Sequence, residues 1–207
     1  MFGGSATEYF VGDFDGKEFK CDTKPEVTKW LDFGKDHYAT VCFSNTGDRI
    51  IAVPWMSNWQ YANATPIRQY RGANALPREL SLYTKDGQIY MAANAVKETE
   101  VLRKDTRNID DFVVKGEYKI DEIVPQTDGV YELEMDVTPD KAQVVGFDLL
   151  NAKGEKVKIY LDMKEGKLVA DRSESGIVDL ARYGEMNVHE KETCLLYTSD
   201  AADDSLR

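Results

Sequence analysis

The sequence predicts an all-β protein, and three observations predict it. Short runs rich in Val, Ile, Leu, Tyr and Phe recur along the whole chain. Gly-containing turn pairs separate them, among them Asp15-Gly16, Asp86-Gly87 and Lys153-Gly154. No run is followed by a strong helical pattern. Strands spaced every ~10 residues in this way suit a sandwich, a barrel or a propeller.

Taken in order, Tyr9 to Phe14 reads as a strand that turns at Asp15-Gly16 and returns through Phe19-Lys20-Cys21. Asp-Gly between alternating apolar residues is a hairpin signal because both turn positions need positive φ. Ala39 to Phe43 is the next strand, closed by Ser44-Asn45-Thr46-Gly47-Asp48. Ile50-Ile51-Ala52-Val53 is a continuous apolar run, expected to be buried on both faces. Cys42, within Val41-Cys42-Phe43, reads as a small buried hydrophobe. Leu80 to Tyr83, Asp86-Gly87 and Gln88 to Ala92 predict a second hairpin.

Ala95 to Arg107 is polar and weakly periodic, a connector with at most a short helix and the best domain boundary. Beyond it the pattern alternates. Tyr131, Leu133, Met135 and Val137 face one way; Glu132, Glu134 and Asp136 face the other. Val157, Ile159, Leu161 and Met163 repeat this against Lys156, Lys158 and Asp162. Period-2 alternation with one wet face predicts antiparallel strands packed as a sandwich. The charged outward face reads as solvated.

Composition narrows the function. A net charge of -11 opposes binding to nucleic acid, which needs a basic footprint, and to anionic membranes. No apolar run approaches the ~18 residues of a membrane span. Met1-Phe2-Gly3-Gly4-Ser5 lacks the basic start and apolar core of a secretory signal, so the compartment is not legible there. Three cysteines without a C-x-x-C pair, and only His37 and His189, offer no zinc constellation. No metal or cofactor is expected. A neutral, hydroxyl-rich ligand remains compatible with this surface.

The stretch from Trp30 to Leu82 concentrates aromatics, amides, arginines and acids in turns between strands, as a sugar-binding face does. Read alone, Asp36 is a turn aspartate capping local amides, and Trp55 is a core tryptophan with an internally satisfied N–H. Asp32 and Asp36 sit in one turn, on one side of any ligand. A general acid and a nucleophile must flank the scissile bond, so this pair is not a catalytic dyad.

Certain blocks, in this order, carry a family resemblance. They are Gly3-Gly4-Ser5, Tyr9 to Gly16, Asp32-Phe33-Gly34-Lys35-Asp36-His37-Tyr38-Ala39, Trp55-Met56-Ser57-Asn58-Trp59-Gln60-Tyr61, Arg71-Gly72-Ala73 and Leu76-Pro77-Arg78-Glu79-Leu80. Together the series resembles glycoside hydrolase family 32, the invertases, inulinases and levanases. A looser match lies at Asp171-Arg172-Ser173-Glu174-Ser175-Gly176. The resemblance implies the last blades of a five-bladed β-propeller, then an incomplete antiparallel β-sandwich. It divides the chain into a propeller part at 1–97, a linker at 98–107 and a truncated sandwich at 108–193. It implies a retaining mechanism on β-linked fructose, with a fructose-containing oligo- or polysaccharide as partner and an extracellular or periplasmic location. Asp36 then becomes a pocket aspartate accepting from sugar hydroxyls, and Trp55 an aromatic wall against the ring. Asn58 and Trp59 are further substrate-binding candidates. Arg78 and Glu79 are structural ties of the last blade. His37 stands where the family commonly has Phe or Tyr.

The sequence also departs from the family. Asn-Asp-Pro-Asn-Gly, Arg-Asp-Pro and Glu-Cys, which carry nucleophile, stabiliser and acid/base, are absent from it. The chain is therefore expected to be a fragment with no catalytic residue of its own. An upstream reading frame encoding those motifs would support this, and a true start with a signal peptide directly before Met1 would oppose it. Residues 194–207 fit no alternation and resemble a translated sequencing adapter; without them the chain stays acidic. The competing readings are a non-catalytic carbohydrate-binding β-domain and a β-rich interaction module without a ligand. Oligomeric state is not legible.

Overall fold

The computed structural model describes residues 5–34, 36–63, 65, 67, 69–70, 72–120, 130–176 and 196–197. Among the described residues the architecture is mostly β, with one short 3-10 helix.

The first strands are short: β1 (Glu8–Tyr9), β2 (Gly12–Phe14), β3 (Phe19–Cys21) and β4 (Lys29–Trp30). β2 and β3 form the hairpin expected at Asp15-Gly16. Asp15 closes its turn by accepting from the Lys17 and Glu18 amides, each at 2.8 Å. Those two amides hold its carboxyl below the ordinary value. β1 pairs with β4, Glu8 opposite Trp30.

The next sheet carries the central stretch. It comprises β5 (Tyr38–Cys42), β6 (Ile50–Met56), the two-residue β7 (Ala73–Asn74), β8 (Arg78–Lys85) and β9 (Gln88–Ala95). The order is β5-β6-β8-β9, with β7 pairing one end of β6. Asp86 and Gly87, with φ of 50° and 75°, form the tight turn from β8 to β9, whose register pairs Lys85 with Gln88. Lys29 of β4 reaches this sheet: its ammonium donates to the Ile89 carbonyl at 2.7 Å and lies 4.6 Å from the centre of the Tyr90 ring.

Two expectations for this sheet are corrected. Ile50 is 55% exposed, and burial in its run is concentrated at Ala52 and Pro54. Cys42 is exposed, as are Val41 and Phe43 beside it. The reason is the same for both. A strand's own apolarity says that it can be covered, whereas burial requires an element that lies on it.

The 3-10 helix at Lys97–Leu102 stands in the connector. Arg49 ties it to the sheet, reaching Glu79 on β8 and Glu98 in the helix at 2.8 and 2.6 Å. The Arg49 guanidinium holds the Glu98 carboxyl down at about 2. Arg103 at the helix end pairs with Glu132.

The last sheet comprises β10 (Val144–Leu150), β11 (Lys156–Asp162) and β12 (Lys167–Asp171), joined antiparallel, with β13 (Leu196–Tyr197) on β12. The alternation around Val157 builds it: Phe147 pairs with Ile159, Leu149 with Val157 and Leu161 with Leu168. Lys156 and Lys158 both bond Glu174 at 3.1 Å, so part of the charged face is a small ion-pair cluster. Residues 131–137 are a further correction: they form no strand, and Leu133 is 51% exposed. Alternation marks two faces, but a strand forms only where a neighbour completes its backbone hydrogen bonds. Among the described residues no helix is long and apolar enough to cross a membrane.

Candidate functional site

The site lies at one end of β5 and β6, where Tyr38 pairs with Trp55. Three backbone devices build it. The first is the loop from Trp30 to Tyr38. Asp32 accepts from the Gly34 amide at 2.8 Å through one oxygen and pairs with Arg78 of β8 at 3.0 Å through the other. Asp32 thereby ties the loop to β8.

The second device is the passing segment at Ser5 to Thr7. The Thr7 hydroxyl donates to the His37 carbonyl at 3.2 Å and lies 2.5 Å from the Thr40 hydroxyl. It lies 3.0 Å from His37 Nδ1. The Thr7 hydroxyl thus meets the His37 carbonyl, the His37 ring and the Thr40 hydroxyl together. His37 is 2% exposed, and among the described residues its Nε2 has no partner. Burial pushes the His37 pKa below its ordinary value; the Asp32 carboxylate pulls it up and Arg78 pushes it down.

This makes His37 a source of acid sensitivity. The unfolded chain takes up a proton near pH 6.5, whereas folded His37 resists it until lower pH. Between those two values the unfolded state binds more protons, so stability falls as pH drops. The wild-type melting temperature is expected to fall from pH 7 to pH 5.5. In thermal melts, His37→Phe is expected to fall less over that interval; an identical fall would assign the sensitivity elsewhere.

The third device is the turn after β6. Asn58 is fully buried, and its side chain accepts from the Gln60 amide at 2.9 Å while its carbonyl accepts from Ala62 at 2.9 Å. The turn is pinned to the first segment through the Trp59 amide and the Ser5 hydroxyl at 3.4 Å. It sends out two rings in different directions. Trp59, 64% exposed, meets Trp55 with ring centres 5.0 Å apart and planes at 58°. Tyr61, 5% exposed, turns inward and its hydroxyl donates to Asp36 Oδ1.

The structure thus brings together three of the four sequence candidates as surface and one as support. Asp36 and Trp55 are half-buried at the same strand end, and Trp59 extends the aromatic wall outward. Asn58 lies beneath them and shapes the turn. Tyr61 was missed as a site residue. It stands within the quoted Trp55 to Tyr61 block, but its partner lies 25 residues away. Arg78 and Glu79 take the tying positions described above. Among the described residues no three His, Cys, Asp or Glu side chains group as metal ligands.

Comparison with known proteins shows what the chain is similar to. The model for the glycosyl hydrolases family 32 N-terminal domain matches residues 2–93, and that for the family 32 C terminal matches residues 98–200. A levanase of Bacillus subtilis (strain 168) is 36% identical over 180 residues, covering 84% of this chain and 26% of that protein. An invertase of Schwanniomyces occidentalis is 30% identical over 186 residues, covering 82% of this chain and 34% of that protein. The fructofuranosidase of the same yeast, solved in complex with fructose, is 26% identical with a TM-score of 0.53, covering 83% of this chain and 36% of that one. The exo-inulinase of Aspergillus awamori shares the fold, with a TM-score of 0.62 at 22% identity over 86% of this chain and 36% of that one. The chain spans about a quarter to a third of the length of these relatives.

Proposed function

The chain belongs to glycoside hydrolase family 32, and on that footing we propose that it is one wall of the fructose pocket of an enzyme cleaving β-fructofuranosyl linkages. The observation that carries this is the single turn after β6, which sets Trp59 against Trp55 and Tyr61 onto Asp36. A sugar needs such a pairing: an aromatic face for its apolar C–H patches and a fixed carboxylate for its hydroxyls. Asp36 accepts from adjacent fructose hydroxyls, Trp55 packs on the ring and Trp59 extends that wall. Asn58 acts from below by holding the turn. The substrate class is levan, inulin or sucrose, matching what the relatives are named for.

The chemistry of this reading is retaining. One carboxylate attacks the anomeric carbon, a second protonates the leaving oxygen, and water then releases the fructosyl group. Neither carboxylate is assigned to this chain, whose sequence lacks the motifs that would carry them. In this reading 1–97 is the propeller part, 98–107 the linker, 108–193 the sandwich and 194–207 an adapter-derived tail.

Two measurements test it. The purified chain is expected to release no fructose from levan, inulin or sucrose, and turnover would overturn the assignment of a wall without catalytic groups. Fructose is expected to quench or shift tryptophan emission, and Asp36→Asn to weaken that binding about tenfold or more, since a charge-assisted hydrogen bond is worth about 1.5–3 kcal/mol. Equal affinity of Asp36→Asn and wild type would remove Asp36 from the pocket.

A further inference from the structure

We infer that Tyr61 is a positioning residue, whose buried hydroxyl fixes the carboxylate plane of Asp36 for sugar binding; the inference rests on the pocket reading above. The backbone around Asp36 is held on both sides. Upstream, Asp32 grips the Gly34 amide and Arg78; downstream, Thr7 holds the His37 carbonyl. These bonds hold the chain on either side of Asp36, and the contact of Tyr61 acts on the carboxylate itself. A carboxylate that accepts from two adjacent hydroxyls must present both oxygens at one angle, so rotation about its two side-chain bonds costs affinity.

The phenol supplies one such constraint, on Oδ1. Tyr61 is 5% exposed, so its ring is packed on all sides and its oxygen cannot wander. The turn that delivers it is itself rigid: its first residue, Asn58, is fully buried and accepts amides with both its side chain and its carbonyl. The hydroxyl donates to Asp36 Oδ1. Because the same turn carries Trp59 onto Trp55, the aromatic wall and the carboxylate are held in one geometry by one element. A ligand that stacks on the wall therefore meets the carboxylate at a set height.

A double-mutant cycle tests this on the whole chain, with fructose as the probe and tryptophan emission as the signal. Tyr61→Phe keeps the ring and removes only the oxygen. It is expected to weaken fructose binding about tenfold in the wild-type background, and by less than about twofold in the Asp36→Asn background. A Tyr61 with a purely structural role would weaken both backgrounds alike, and that result would overturn the inference while leaving the pocket standing. A wild-type chain that does not bind fructose would overturn the pocket and the inference together. If Tyr61→Phe does not fold, the wild-type phenol proton decides by NMR. It is expected to be a slowly exchanging downfield signal that moves on fructose addition; a freely exchanging hydroxyl would overturn the inference.

Discussion

Gly146→Ala is expected to unfold the last sheet. Gly146 lies opposite Tyr160 in the β10–β11 register. A Cβ placed on it would fall 2.1 Å from the Ile159 carbonyl oxygen and 2.5 Å from the Tyr160 Cα. Both atoms are backbone, so no side chain can swing aside. The strands must part at this point, and the ladder from Val144 to Leu150 loses its central hydrogen bonds. The apolar pairs Phe147–Ile159 and Val145–Leu161 are the rungs directly on either side, and Leu149–Val157 lies three rungs away, so the opening reaches most of that face. Overpacking costs about 1–3 kcal/mol, and more where the backbone must yield. At ~4–8 °C per kcal/mol for a unit of this size, the melting temperature should fall by more than about 10 °C. Calorimetry checks it: the transition assigned to residues 144–171 should move or vanish. Gly154→Ala, where no atom lies within 4 Å, should cost only the strain of its positive φ. Equal melting of wild type and Gly146→Ala would mean that the two strands are not paired in this register.

The two sheets differ in how far they could be read from the chain. Turn chemistry is local, and Asp15-Gly16 and Asp86-Gly87 both sit where hairpins close. Alternation from Val157 to Leu161 is also local and matches β11. What failed was coverage. Cys42 and Ile50 are apolar yet exposed, and the alternating residues 131–137 form no strand. Each needed information about a neighbour that its own residues do not hold. The site shows the same division. Asp36, Trp55 and Trp59 became candidates only through the family resemblance, because read alone Asp36 is a turn cap and Trp55 a core residue. The bonds that orient them were not legible in the sequence: Asp32 meets Arg78 and Tyr61 meets Asp36 across long stretches of chain. Spacing within a motif reports which residues travel together. It does not report which of them turns inward.

Gly72→Ala is expected to displace the aromatic wall. Gly72 has φ of 70°, and a Cβ there would lie 2.2 Å from Trp55 Nε1 and 3.1 Å from the Ser57 Cβ. Trp55 cannot back away as a whole, because its backbone pairs with Tyr38 on one side and Asn74 on the other. The indole must therefore rotate, and its neighbour in the site is Trp59, already 5.0 Å away. Two costs add: about 1–3 kcal/mol for the overpacked ring, and about 1 kcal/mol for a side chain in left-handed backbone. The variant should show a shifted tryptophan emission, a lower melting temperature and fructose binding weakened about tenfold or more. Pairing it with Trp55→Phe separates the two costs. The smaller ring makes room for the new methyl group, so the double variant should regain most of the lost stability, keeping only the backbone strain. It should not regain fructose binding, because the wall itself has been cut back. Recovery of both would mean that Trp55 fills space beside Gly72 and does not meet the sugar. An unchanged emission spectrum in Gly72→Ala would mean that the indole does not lie over Gly72 at all.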